Sequence, residues 1–590
     1  MPTWILGVSA LYHDAAAVLL RDGEIVFAAQ EERFTRIKHD RALPLRATRW
    51  CLEQAGITAS DLTYLAFYEK PLRKFERVLS TTVATFPRSW RLFPRMMHGW
   101  LGDKLWLRSR LVRTFQVPPD RLLFCEHHLS HAASAFFTAP ADEAAILTID
   151  GVGEWATTSL WRGRSEPPFI EAVAEVRYPH SVGLFYSAIT AYLGFSVNNG
   201  EYKVMGLAPL GTPRFRAEMD RLLRLREDGS FDLDLDYFCF HYHPARSSTD
   251  KLATLLGGPP RFPDAPIDLS TDEGRRYADI AASAQAACEA AVLHLARHAH
   301  ATVGTDTLCL AGGVALNSVA NRRLAEDGPF SRLWIQPAAG DAGGAMGAAL
   351  WAWHMVHGAP RTPRSLPPGL GAAWSREAVK DTLDDLGFPY TDLGSPEAAA
   401  DRAADELADG GVIAWFDGRF EWGPRALGQR SILADPRTAE MKDTVNARIK
   451  FREAFRPFAP SVTEEAAGDW FDIPAPAADL ARYMLATAAV RPARQDQIPA
   501  TTHADGSARV QVVRQADSPL FHRLITRFGE KTGVPVVLNT SFNLRGDPIV
   551  SSPVGAVATL LRCELDALYI AGFRLQRPSR PSRREAPASL

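Results

Sequence analysis

Thr307-Leu-Cys-Leu-Ala-Gly-Gly-Val-Ala-Leu-Asn317 is a short apolar run that halts at paired glycines and gives way to helix-favouring alanine and leucine. It has two companions. Residues 144–149 are apolar and end at Asp150-Gly151-Val152-Gly153, and residues 332–336 lead to Gly340-Asp341-Ala342-Gly343-Gly344. In α/β domains the ligand crevice lies where buried strands end on such turns. Three in one segment predict an α/β ligand-binding domain. Upstream, residues 5–11, 15–20 and 25–29 read as strands, the last two joined by Arg21-Asp22-Gly23, a hairpin turn with glycine at the φ > 0 position.

Downstream, residues 358–371 carry Pro360, Pro363, Pro367 and Pro368 among three glycines, which marks a linker. The expected organisation is an N-terminal unit at 1–357, a linker at 358–371, a second α/β unit at 372–573 and a loose basic tail at 574–590. Beyond the linker, residues 399–407 read as a helix and 412–416 as a strand. No internal repeat is evident.

The chain has 590 residues, 46% of them hydrophobic and 23% charged, values of an ordinary globular protein long enough for two to four cores. Its net charge of −2 argues against a dedicated nucleic-acid binder. Cys51, Cys125, Cys239, Cys288, Cys309 and Cys563 form no C-x-x-C pair and read as buried thiols of a reducing compartment. Residues 182–197, the longest apolar stretch, fall short of a membrane span, and no signal peptide is read. A cytoplasmic protein with no membrane partner is expected.

His127 and His131 are one helical turn apart in an alanine-rich segment, so their imidazoles share a face; His128 points elsewhere. Asp150 and Asp341 each sit beside a glycine turn, where a buried carboxylate needs a partner. Two imidazoles and two carboxylates suit a divalent first-row metal, with helix-surface histidines and turn aspartates as the plainer alternative. Gly312 and Gly313 leave room for a nucleotide, and Lys203 could reach a phosphate or lie at the surface. Between residues 425 and 456, Arg425, Arg430, Arg437, Arg448, Arg452, Arg456, Lys442 and Lys450 outnumber Asp435, Glu440, Asp443 and Glu453. Guanidinium forks match phosphate oxygens, and the interleaved Phe455, Pro457, Phe458 and Pro460 suggest ordered loops rather than a solvated or RNA-binding face.

His-His-Leu-Ser-His (127–131), Asp-Gly-Val-Gly-Glu (150–154), Lys-Val-Met-Gly-Leu-Ala-Pro (203–209), Gly-Gly-Val-Ala-Leu-Asn (312–317), Gly-Asp-Ala-Gly-Gly-Ala (340–345), Gly-Pro-Arg-Ala-Leu-Gly (423–428), Phe-Arg-Pro-Phe-Ala-Pro (455–460) and Asn-Thr-Ser-Phe-Asn (539–543) together resemble the O-carbamoyltransferases of nodulation-factor and antibiotic biosynthesis. Tyr12-His13-Asp14 and residues 31–39 match that family's opening. The resemblance implies an ASKHA (actin/hexokinase-like) ATPase-type domain fused to a YrdC-like α/β domain. It implies that Arg425, Arg430, Lys450, Arg456, Arg509 and Asn539 bind carbamoyl phosphate, and that ATP, with magnesium, converts it to carbamoyl adenylate. Gly151, Gly153, Glu154, Lys203, Gly312, Gly313, Asn317 and Asp341 would then hold the nucleotide. His127, His131, Asp150 and Asp341 would hold iron, with zinc or manganese as alternatives. Asp150 and Asp341, with Arg425, Arg430 and Lys450, would serve the chemistry.

His13, Lys38 and His39 are expected near the acceptor, a small hydroxylated molecule; a homodimer is compatible with the resemblance. Leu210 departs from the family's usual Tyr, which touches one loop contact only. The rival expectations are a protein of the threonylcarbamoyl-adenosine tRNA-modification type and a non-catalytic nucleotide-binding scaffold. The stretch at 86–106, rich in Phe, Trp and Arg, reads as a helical insertion.

Overall fold

Trp4–Ser9 is buried at every position and forms β1, the centre of a five-stranded sheet. The computed structural model describes residues 2–100, 105–263, 265–453 and 455–577. β2 (Ala16–Arg21) and β3 (Glu24–Gln30) continue antiparallel from β1, while β4 (Leu62–Phe67) and β5 (Leu122–Phe124) lie parallel on its other side. The order is β3-β2-β1-β4-β5. The Asp22-Gly23 turn has positive φ at both residues, as a tight hairpin requires.

The same order then recurs. β6 (Ala144–Ile149), β7 (Ala156–Gly163) and β8 (Ile170–Arg177) run antiparallel in sequence, and Thr307–Ala311 and Arg332–Trp334 extend the sheet parallel to β6. This duplicated sheet is the ASKHA architecture expected from the resemblance. The repeat escapes inspection of the sequence because it resides in strand order, not in matching residues.

Between the sheets pack two helices, His127–Phe136 and Asp341–Trp351. The second is almost all Ala and Gly up to Leu350, and the small side chains permit close approach on two sides. A Cβ at Gly347 would strike the carbonyl of Ser130, and one at Gly7 the carbonyl of Ala345. Close packing here carries Asp341 to the histidine helix.

The segment 358–371 has little regular structure, but it is a fastened strap rather than a loose connector. Leu366 and Leu370 are buried in the N-terminal core, and the Arg361 guanidinium donates to the carbonyls of Phe136 and Ala139 at 2.8 and 2.9 Å. Its prolines lack donors, yet its leucines and arginines supply anchors.

An eight-stranded mixed sheet follows, with Ile413–Phe416 at its middle, parallel to Ala567–Ile570 and antiparallel to Arg430–Ala434. Apolar clusters cover both faces. Helix Pro396–Ala408 brackets the expected 399–407. The basic tail does not begin at Arg574: that residue lies in strand Phe573–Leu575 and pairs with Glu406 at 2.9 Å, and positions 578–590 of the expected tail fall outside the described residues. No helix among the described residues is long and apolar enough to cross a membrane.

Candidate active site

His127 and His131 project from the first turns of their helix toward the end of β6. Their Nε2 atoms are 3.1 Å apart, and the Oδ2 of Asp150 lies 3.0 Å from the first and 3.4 Å from the second. Asp341 closes the group, its Oδ1 3.8 Å from His127 and 3.7 Å from His131. One ligand atom from each of the four residues lies within 4.8 Å of the others. Burial opposes charge on His131, but Asp150 and Asp341 win and hold it up to about 9. Burial likewise opposes the Asp150 carboxylate, and the two imidazoles keep it well below the usual carboxylate range. His128 points away to Thr148 at 2.8 Å; burial and the two neighbouring imidazoles push it down to about 3. The Oδ2 of Asp341 is buried with no hydrogen-bond partner. Two imidazole nitrogens face to face, two carboxylates and one orphaned oxygen form a donor set that a divalent first-row cation satisfies.

The glycine turns meet beside this cluster. Asp150 Oδ1 accepts the N–H of Gly313 at 3.0 Å, and Gly312 N–H donates to Ala339 at 2.8 Å. Gly312 needs its φ of +92°, and any Cβ there would meet the carbonyl of Ile149. Gly151 is open, with only Leu184 near.

Other expected nucleotide contacts are placed differently. Glu154 is buried, and its carboxylate accepts the N–H groups of Lys70 and His127 at 2.7 and 3.0 Å, so it caps the histidine helix. Gly153 makes room for the rings of His127 and His128, 3.1 and 2.8 Å from where a Cβ would stand. Asn317 caps helix Ser318–Asp327 and bonds Gln285. Lys203 reaches Glu453 in the C-terminal unit at 2.9 Å.

The acceptor candidates border the cluster. His13 stands 3.9 Å from Asp341 Oδ2, and Asp14 bridges His13 at 3.1 Å and His39 at 2.8 Å. Burial disfavours charge on His13, yet Asp341 and Asp14 raise it to about 10. Lys38 lies over one side of Tyr202 at 6.0 Å, and Arg456 packs on the same ring at 4.6 Å.

In the C-terminal unit the six expected carbamoyl phosphate ligands separate into two groups. Arg425, Arg456 and Arg509 converge, together with Arg452. Burial and the neighbouring Arg456 push Arg425 down to about 10 and Arg452 to about 9, while Arg509 is depressed by burial and by the other three. Guanidinium groups keep their protons in proteins, so these shifts register the burial first, and then the mutual repulsion, of charges that an anion would compensate. The Nε atoms of Arg425 and Arg509 are buried without partners.

Arg430, Lys450 and Asn539 belong to the framework instead. Arg430 is fully buried, donates to the carbonyls of Asp417, Gln429 and Gly418, and stacks 3.5 Å over Phe416. Lys450 is spent on Ser541 and Asn543, the latter at 2.9 Å. Asn539 donates to Ser461 and Gln511 at 3.0 and 2.9 Å beneath Ala426. A sequence supplies cations but not the direction in which each turns.

Sequence reasoning missed Glu421. Its Oε1 accepts three backbone N–H groups, from Leu427, Gln429 and Arg430, at 2.9, 3.0 and 2.8 Å, so the loop bearing Arg425 folds around one carboxylate. Its signal was a lone acid just ahead of Gly-Pro-Arg. Arg452 belongs to the basic run, and nothing in its sequence position marks it apart from the other arginines there. A small cleft lies between the two units, with Met205 and Ser318 on one wall and Pro457, His503 and Arg509 on the other. Arg33, whose guanidinium donates to the carbonyl of Gly423 at 2.7 Å, also joins the units.

Residues 4–350 match the family model described as carbamoyltransferase N-terminus, and residues 404–577 match carbamoyltransferase C-terminus. An uncharacterized protein of Synechocystis is 45% identical over 99% of this chain and 98% of its own. Nodulation protein NolNO of Sinorhizobium fredii is 38% identical over 96% of this chain and 79% of its own. Nodulation protein NolO of Bradyrhizobium diazoefficiens is 37% identical over 79% of each.

Proposed function

The chain belongs to the carbamoyltransferase family, and from that premise we propose that it is an ATP-dependent O-carbamoyltransferase acting on a hydroxyl of a small molecule. The observation that carries the reading is the convergence of Arg425, Arg452, Arg456 and Arg509, whose burial and mutual repulsion call for a small, highly charged anion. Carbamoyl phosphate meets that demand.

In this reading the C-terminal unit is YrdC-like. Carbamoyl phosphate held there loses its phosphate to water, and the carbamate oxygen displaces pyrophosphate from the α-phosphorus of ATP. Carbamoyl adenylate results. The acceptor hydroxyl then attacks the carbamoyl carbon, its proton is lost, and AMP leaves. Adenylation matters because it provides a good leaving group, and enclosure between the units keeps water from the labile anhydride.

The N-terminal residues divide the second step. The Gly312–Gly313 turn, which carries no side chains, is assigned to the approach of the nucleotide to the backbone. His127, His131, Asp150 and Asp341 would hold a divalent cation, iron by their mixed imidazole and carboxylate donors. When bound, that ion supplies charge neutralisation and Lewis-acid polarisation of the carbamoyl oxygen. Glu154 keeps His127 aimed by capping its helix. His13, Lys38 and His39 are assigned to the acceptor side.

Incubation with carbamoyl phosphate, ATP and a panel of hydroxylated acceptors tests the reading. Release of pyrophosphate and AMP, with a carbamoyl mass increment on one acceptor, is expected. Pyrophosphate formation that ignores carbamoyl phosphate would sink it.

A further inference from the structure

We propose that His503 is the specificity-determining residue that recognises the amino group of carbamoyl phosphate, presenting an unprotonated Nε2 beside Arg509. The inference rests on the carbamoyl phosphate reading above and adds to it the element that tells this donor from other acyl phosphates.

Ser507 and Asp505 form a relay that ends on His503. The hydroxyl of Ser507 donates its single proton to Asp505 Oδ1 at 2.7 Å, and the backbone N–H of Ser507 donates to the same oxygen at 3.0 Å. His503 Nδ1 stands 3.2 Å from that hydroxyl oxygen. With the hydroxyl proton already committed, Nδ1 must carry a hydrogen and donate it. The tautomer is thereby fixed, and Nε2 is left as a bare acceptor. Nε2 is buried and has no partner. Burial, with Arg509 and Lys442 nearby, pushes the imidazole down to about 4, so it is neutral at physiological pH.

His503 lines the interdomain cleft together with Arg509. Every nearby arginine offers donors only, which suit the phosphate oxygens and the carbonyl. None can receive the N–H of a carbamoyl group. A buried acceptor left unfilled is costly, so a methyl in place of the amino group should be rejected strongly, as in sites built to hydrogen-bond a polar substrate group. Acetyl phosphate is that analogue: same charge, similar shape, no donor.

Isothermal titration of the full chain with carbamoyl phosphate, acetyl phosphate and inorganic phosphate provides the test. The wild type should prefer carbamoyl phosphate over acetyl phosphate by roughly ten- to hundred-fold. In His503→Phe that preference should vanish while affinity for inorganic phosphate is retained, and His503→Gln, which keeps an acceptor, should recover part of it. In the wild-type protein, nitrogen-15 spectra of labelled histidine should show the Nδ1–H tautomer for the resonance lost in His503→Gln, a readout independent of how well the Phe variant folds. An unchanged preference in His503→Phe, equal weakening of all three ligands, or an Nε2–H tautomer overturns the inference while leaving the carbamoyl phosphate reading in place. Failure of the wild type to bind carbamoyl phosphate overturns both.

Discussion

The carboxylate of Asp150 serves two masters: its Oδ1 accepts the N–H of Gly313 at 3.0 Å, while its Oδ2 lies 3.0 Å from His127 Nε2. One side chain thus couples the candidate metal cluster to the candidate nucleotide turn. Asp150→Asn retains an oxygen for Gly313 but removes the anionic ligand. We expect bound metal, measured by elemental analysis, to fall roughly ten-fold or more while nucleotide affinity changes little. Asp150→Ala should lower both. Equal behaviour of the two variants would refute the division of labour.

Glu421 holds the Arg425 loop by three backbone N–H groups. Glu421→Ala leaves those donors buried and unpaired. A loss of about 3 kcal/mol in unfolding free energy is expected, together with loss of carbamoyl phosphate-dependent pyrophosphate release. Chemical denaturation and the pyrophosphate assay check the two parts separately.

Lys203 and Glu453 pair across the two units with side chains 16% and 25% exposed. Each single reversal, Lys203→Glu or Glu453→Lys, should weaken interdomain cohesion, and the double reversal should restore part of it. A coupling of about 1 kcal/mol in a double-mutant cycle is the expected size. A coupling near zero would mean that the pair only decorates the contact.

His354 is buried, stacks 4.3 Å from Phe137 and donates through Nδ1 to the carbonyl of Ala359 at 3.1 Å. Burial, aided by Arg364 and Arg361, outweighs that hydrogen bond and pushes the imidazole down to about 4. Below pH ~6.5 the unfolded chain takes up a proton that the folded chain refuses, so this contribution is intact above that pH. It is lost on acidification toward 4, amounting to about 3 kcal/mol. In His354→Phe, which keeps the stacking, stability measured between pH 7 and 4.5 should fall less steeply than in the wild type.

The glycine turns were legible because a buried strand and its terminal glycine are neighbours in sequence, as are His127 and His131 on one helical turn. The meeting of those turns with Asp341 was less legible, since it depends on a helix of small residues pressed against Ser130 and Gly7. Inward and outward arginines could not be sorted in advance: Arg425 and Arg430 are five positions apart, yet one faces the cluster and the other is consumed by carbonyls and Phe416. The sheet duplication left no trace in residue identities because strand order is set by burial, which many apolar residues satisfy equally.

All six cysteines are buried, and burial pushes the thiols of Cys288 and Cys309 up to about 12. Few thiolates are therefore available to electrophiles at neutral pH. A cysteine introduced on the surface of each unit would be labelled against a silent background, without first stripping the native ones. The fold thus lends itself to fluorescence or spin-label distance measurements of how its two halves approach one another during turnover.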